Sequence, residues 1–132
     1  IILICISTDI GGYLFGKIFK GPKLTKISPK KTYTGVIGAF LLSIITVYSL
    51  NSFNSYFKSN LEIFELNYFI FTVIISTVSQ IGDIIVSYFK RLSKIKDTGK
   101  LIPGHGGILD RIDGMIFAYP FFYILYLFFN FL

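Results

Sequence analysis

Eleven side chains between Gly82 and Gly114 are of types that do chemistry: Asp83, Ser87, Lys90, Arg91, Lys96, Asp97, Lys100, His105, Asp110, Arg111 and Asp113. This one stretch holds four of the seven carboxylates, six of the thirteen Lys and Arg residues and the single histidine. An apolar run leads into it and another leads out. Charge is expensive at membrane depth, so packing alone does not call for this density beside such runs. The stretch therefore reads as a reaction site at a membrane surface. Asp83 and Asp110 lie on the two different runs, each next to the basic segment. Antiparallel packing of the runs would bring both carboxylates to one face. Paired carboxylates without a Cys or His cluster suit a hard, oxygen-seeking Mg²⁺ rather than zinc. Mg²⁺ beside Lys and Arg suits phosphoryl or nucleotidyl transfer, because the metal and the basic groups neutralise phosphate oxygens and developing charge. Pro103-Gly104-His105-Gly106-Gly107 adds glycine freedom and a run of main-chain N–H groups that could cradle an anion. Asp110 and Asp113 also fit ordinary capping and the helix dipole, but capping accounts for only one of them.

The elements that must position these groups are helices. The chain has 132 residues, 53% hydrophobic and 15% charged, with a mean hydropathy of +0.68. Several apolar runs approach the roughly 20 residues that cross a bilayer. An all-α, polytopic integral membrane protein is expected, with about four transmembrane helices in a single domain, residues 1–132. The net charge of +6 could suggest nucleic acid, but its location argues otherwise. Six of the thirteen basic residues lie in Lys17–Lys31 and six in Lys90–Arg111. Two basic segments between apolar helices read as cytoplasmic loops, which also attract anionic lipid and phosphate. The lone Cys5 allows no disulfide within the chain.

In order, the expected spans are Ile1–Phe19, Gly35 to about Phe53, Asn67 to about Arg91, and Asp110–Leu132, the last carrying Pro120, a kink site. Asn51–Leu66 should form a loop on the opposite face. Asp9 in the first span is a functional candidate by its cost in lipid. It shares a helical face with Gly12, Tyr13, Gly16 and Lys20, and Gly12-x-x-x-Gly16 would admit a close neighbour. Gly35, Gly38 and Ala39 suggest tight packing at the start of the second span. The segment from Lys17 to Thr34 is basic. It serves as a topogenic loop, and Ser28, Lys30, Lys31 and Thr32 are also suited to holding phosphate. In the third span, Thr72, Ser76, Gln80, Asp83, Ser87 and Lys90 recur at helical spacing as one polar stripe. Interhelical hydrogen bonding would explain Thr72 and Ser76. It explains Asp83 poorly, since a carboxylate there needs a cation.

These residues also resemble a known family. Ser87-x-x-Lys90-Arg91, Lys96-Asp97, Pro103-Gly-His105-Gly106-Gly107 and Asp110-Arg111-x-Asp113, in that order, resemble the signature of phosphatidate cytidylyltransferases. Asp9-x-x-x-Tyr13-x-x-Gly16 and Ser28-Pro29-Lys30-Lys31-Thr32-x-x-Gly35 look like the same family's upstream motif. The resemblance implies transfer of CMP from CTP to phosphatidate, giving CDP-diacylglycerol and pyrophosphate. It implies a Mg²⁺ site at Asp83 and Asp110, with room for a second mono- or divalent cation. Lys90, Arg91, Lys96 and Arg111 would contact phosphates, and Asp97, His105 and Asp113 would belong to the catalytic set. Asp9, Ser28, Lys30, Lys31, Thr32, Ser87, Gly106 and Gly107 would bind substrate. Family members are about twice this length, so this chain is expected to be the carboxy-terminal catalytic part. The expected setting is a bacterial inner or plasma membrane, with the site on the cytoplasmic side, membrane lipids as neighbours and a homodimer as an admissible assembly. Two other classes compete: a CTP-dependent lipid kinase of the dolichol-kinase type, and a non-enzymatic ion pathway or scaffold built on the polar stripe.

Overall fold

A computed structural model describes residues 1–25, 28, 31–56, 65–95, 98, 99 and 109–131. Four helices account for most of them: α1 (Ile2–Phe19), α2 (Tyr33–Tyr56), α3 (Glu65–Leu92) and α4 (Leu109–Phe131). Among the described residues, the segments Ile2–Phe19, Tyr33–Phe53 and Phe69–Leu92 are long and apolar enough to cross a membrane. Within α4 the apolar stretch Ile112–Phe128 is shorter. The all-helical membrane architecture expected from the sequence is therefore present.

Local chemistry sets the helix ends. Lys20 closes α1 in the left-handed region (φ 45°), its N–H donating to the Gly16 carbonyl at 3.2 Å. Gly21-Pro22 follows, and proline there cannot extend the helix. Lys20 is thus a cap, off the α1 face on which the sequence placed it beside Asp9. At the start of α2, the Thr32 hydroxyl accepts the Gly35 N–H at 3.1 Å, an ordinary N-cap bond. At the end of α3, Lys94 takes φ 55°. The Lys94 N–H bonds to Arg91 O and the Ile95 N–H to Lys90 O, both at 3.0 Å. That pattern satisfies the last carbonyls of the helix. One expectation is corrected: residues Asn51 to Tyr56 continue α2 rather than opening a loop. No Gly or Pro occurs there to stop the helix.

Neighbouring helices run antiparallel. On α1 and α2, Gly12 lies near Gly35, Gly11 near Gly38, and Ser7 near Thr46. On α3 and α4, Lys90 meets Asp113, Gly82 meets Phe117, and the rings of Phe71 and Phe122 lie 6.5 Å apart. The C-termini of α1 and α3 and the N-termini of α2 and α4 therefore share one end of the bundle. The two basic segments leave from that end.

The interior is lined with hydroxyls. Ser7, Thr8, Ser43, Thr72, Ser76 and Ser79 are buried, whereas the buried apolar residues among those described are Cys5, Ala39, Ile75 and Ala118. Large apolar side chains such as Ile18, Tyr48, Phe53 and Phe128 face outward. Thr8 on α1 and Ser76 on α3 share a hydrogen bond of 3.0 Å, and Gln80 Nε2 donates to the same Ser76 oxygen at 3.4 Å. The polar stripe of α3 therefore does what interhelical hydrogen bonding predicts for Ser76, and it sets α1 and α3 at a common depth.

Candidate active site

The shared end of the bundle holds a cavity of about 740 Å³. Its charged wall comes from three helices and a loop. Asp9 is on α1, Asp83 on α3 and Asp113 on α4, while Lys31, Ser28 and Thr32 come from the segment joining α1 to α2. Ile6, Ile10, Ile84, Ile112 and Met115 form the apolar part of the lining. One space thus brings carboxylates, an ammonium, hydroxyls and hydrocarbon together, a mixed lining that fits an amphiphilic ligand.

The joining segment is folded back on itself. Lys23 and Thr32 form an isolated antiparallel bridge. The Leu24 N–H donates to Lys31 O at 2.8 Å, the Lys31 N–H to Ser28 O at 3.0 Å, and the Tyr33 N–H to Pro22 O at 3.1 Å. These bonds fix the Lys31 main chain over the cavity. Its ammonium forms an ion pair with the Asp83 carboxylate and donates to the Gln80 carbonyl at 3.4 Å. The cation that Asp83 needs on an apolar helix is therefore supplied from a different element.

A second ion pair borders the cavity. Lys90 Nζ, from the last turn of α3, lies 3.2 Å from Asp113 Oδ2. Asp113 is 7% exposed, and its other oxygen accepts the Gly114 N–H at 3.0 Å. Burial of this kind demands a charge partner, and Lys90 provides it.

The sequence candidates now sort by position. Asp9, Ser28, Lys31, Thr32, Asp83 and Asp113 line one cavity, and Lys90 joins them through Asp113. Ser87 is half-buried on α3. Arg91 is exposed and donates to the Ile95 carbonyl at 3.4 Å, so the structure does not gather it into the cavity lining. Asp110 and Arg111 occupy the first turn of α4, but their side chains lie outside the described residues. Lys30, Lys96, Asp97, His105, Gly106 and Gly107 lie outside them altogether. The meeting of Asp83 with Asp110 and the glycine-rich cradle are therefore not placed.

Sequence reasoning missed two things. Thr8, beside Asp9, is buried and bonded to Ser76; its helical offset from Ser7 and Cys5 gave no sign of that. The close approach expected at Gly12 is present, since a Cβ on Gly35 would meet the Gly12 carbonyl oxygen at 2.7 Å, but α1 is also tight on α2 at Gly11, which the sequence did not single out. A Cβ on Gly11 would collide with the Gly38 carbonyl oxygen, whereas one on Gly12 would sit 3.8 Å from Gly35 O.

Comparison with known proteins fits this geometry. A family model described as the cytidylyltransferase family matches residues 1–129. Phosphatidate cytidylyltransferase of Rickettsia typhi is 44% identical over 126 residues, covering 89% of this chain and 52% of that protein. The protein of the same name from Staphylococcus haemolyticus is 41% identical over 124 residues, covering 93% of this chain and 46% of that protein. The chain thus spans about half the length of these curated relatives. A match over nearly every residue, including both stretches that build the charged wall, places the chain in the cytidylyltransferase family.

Proposed function

We propose that the chain carries the nucleotidyl-transfer site of a phosphatidate cytidylyltransferase, joining CMP from CTP to phosphatidate with release of pyrophosphate. The observation that supports this most is the mixed lining of the cavity, charged groups and hydrocarbon in one space, in a chain related to proteins of that name. A nucleotide triphosphate suits the charged groups of that lining, and the diacyl body of a phosphatidic acid suits its hydrocarbon.

In the reaction, a phosphate oxygen of the lipid attacks the α-phosphorus of CTP. The bond between that phosphorus and the α,β-bridging oxygen breaks, and pyrophosphate leaves with the electron pair. The lipid phosphate is already anionic, so no protein nucleophile is required. The protein's work is to hold two anions together and to stabilise the charge that moves to the leaving group. Lys31, Ser28 and Thr32, which line the cavity, would bind phosphate oxygens. Lys90 keeps Asp113 neutralised at the cavity edge. Lys30, Arg91, Lys96 and Arg111 supply further positive charge in the two basic segments, and Ser87, Asp97, His105, Gly106 and Gly107 complete the assigned set.

Asp83 suits Mg²⁺ on a structural ground: its carboxylate faces the cavity and already accommodates a cationic centre, the Lys31 ammonium. Among the described residues, no three His, Cys, Asp or Glu side chains form a ready-made cage. Mg²⁺ commonly needs only one or two carboxylates plus substrate phosphates and water. Asp83 and Asp110 are the residues assigned to it, with a second cation allowed for. When bound, the metal supplies Lewis-acid neutralisation of the phosphate oxygens. The assigned setting is a bacterial membrane with this end of the bundle at the cytoplasmic face, since both basic segments leave from it.

Turnover by the full-length enzyme in liposomes tests the reading. With CTP, phosphatidate and Mg²⁺, label at the α-phosphate should enter lipid and label at the γ-phosphate should leave in pyrophosphate. Entry of γ-label into lipid would make it a lipid kinase instead. Absence of any CTP turnover would favour the ion-pathway reading.

A further inference from the structure

We propose that Lys31 and a divalent cation alternate at Asp83, so that loading of the cation turns Lys31 from a carboxylate partner into a phosphate partner. The proposal rests on the reading of Asp83 as a cation ligand. It follows from how Lys31 is held. Both main-chain groups of Lys31 are hydrogen-bonded within the folded-back segment, to Leu24 and Ser28. The backbone is therefore fixed, and the four-carbon stem is the part that can move. The tip of that stem lies on Asp83 and on the Gln80 carbonyl, while the Ser28 and Thr32 hydroxyls line the same cavity.

The charges around the cavity make the swap conditional. Asp9, Asp83 and Asp113 all face one space. Lys90 is engaged by Asp113 at 3.2 Å. Removing the Lys31 ammonium alone would leave Asp83 without its cation in a space it shares with the Asp9 carboxylate and the Lys90-paired Asp113. Arrival of a divalent cation at Asp83 removes that obstacle and repels the ammonium at the same time. The displaced ammonium remains tethered over the cavity, where the Asp9 carboxylate and an incoming substrate phosphate are the anions open to it. Substrate capture by Lys31 is thereby made to wait for the cation. A lysine suits this exchange, because a compact ammonium changes partner without the paired geometry that arginine requires.

The test uses the purified full-length enzyme in detergent micelles, without CTP or lipid, with Mn²⁺ as the probe. Acylation of Lys31 by a soluble active ester, read by mass spectrometry, should rise several-fold when Mn²⁺ saturates the wild-type protein. In parallel, Mn²⁺ affinity measured by electron paramagnetic resonance should tighten about tenfold in Lys31→Met, in the range of ordinary coupling between sites. Asp83→Asn should lose the Mn²⁺ site. If Asp83→Asn loses Mn²⁺ but Mn²⁺ leaves Lys31 acylation unchanged in the wild type, the cation reading of Asp83 survives and the alternation is wrong. If Asp83→Asn binds Mn²⁺ as the wild type does, both fall. Should Lys31→Met fail to fold, the wild-type acylation decides the matter by itself.

Discussion

The α1–α2 pair and the α3–α4 pair are both built around glycines, but to different ends. Between α1 and α2 two glycine contacts bring backbone to backbone, Gly11 on Gly38 and Ala39 and Gly35 on Gly12, while Gly38 also receives the Phe15 side chain. The described polar link between them is one hydroxyl pair, Ser7 with Thr46 at 2.8 Å. Between α3 and α4 the glycines receive side chains: Gly82 takes the Phe117 ring and Gly114 takes Ser79. That interface also carries the Lys90–Asp113 ion pair. The first pair is a tight frame in which nothing charged lies between the helices. The second pair accepts a charged contact inside its interface, and that contact borders the cavity. Close backbone packing leaves little volume between the helices, so the charged groups of the cavity come from the looser pair, from the joining loop and from Asp9 of α1.

Substitutions can break or sharpen this contrast. The largest effect on turnover is expected for Asp83→Asn. It removes the carboxylate assigned to the cation, a contribution of several kcal/mol to the transition state, so activity should fall below detection while the protein remains folded. Near-normal activity at limiting Mg²⁺ would remove Asp83 from the site. Next comes Lys90→Ala, which leaves the buried Asp113 without its partner. Loss of one member of such a pair costs about 3–5 kcal/mol. The apparent KM for CTP or phosphatidate should rise as well. Adding Asp113→Asn should restore much of the thermal stability and leave the KM raised. Full kinetic recovery in the double variant would make the pair purely structural.

The frame should respond differently. Gly11→Ala forces α1 away from α2, because the new methyl meets backbone that has no rotamer to change. A destabilisation of about 1–3 kcal/mol is expected, as for overpacking in a tight core. Any surviving folded enzyme should keep its KM. The smallest effect is expected for Gly12→Ala, one residue away. Its methyl would make ordinary contacts at 3.8 Å and 3.9 Å, and the gain in helix propensity of up to about 1 kcal/mol could offset them. Equal thermal shifts for the two alanines would show that the register of α1 on α2 differs from the one described.

Much of this fold is written in local pattern. Apolar runs with Gly21-Pro22 between the first two announced the helices, and the clustering of lysines announced which ends lie together. Gly82, at the turn of the α3 stripe, needed no tertiary information to be placed on a helix. What it packs against did. The same limit explains the partners of the lysines. Sequence suggested phosphate for Lys31 and Lys90, and each is found on a carboxylate of a distant segment. Nothing in spacing reveals which of three aspartates a loop lysine will meet. The tight contact at Gly11, beside the expected one at Gly12, was hidden for the same reason. A Gly12-x-x-x-Gly16 pattern shows that a helix can be approached, while the azimuth of approach is fixed by the partner. The extension of α2 to Tyr56 was hidden for another reason: polar residues such as Asn51 and Ser52 suggest a loop, yet none of them stops a helix that has already begun.

An interior made of Ser7, Thr8, Ser43, Thr72, Ser76 and Ser79 also decides what holds this protein upright. Such small hydroxyls bury little hydrocarbon, so dispersal of the helices into water is not opposed from within. The bilayer acts as a structural ingredient comparable to a subunit, and its removal should count as losing a component. Harsh short-chain detergents should therefore inactivate the protein before heat does, and lipid added back during purification should preserve it more effectively than any change of salt.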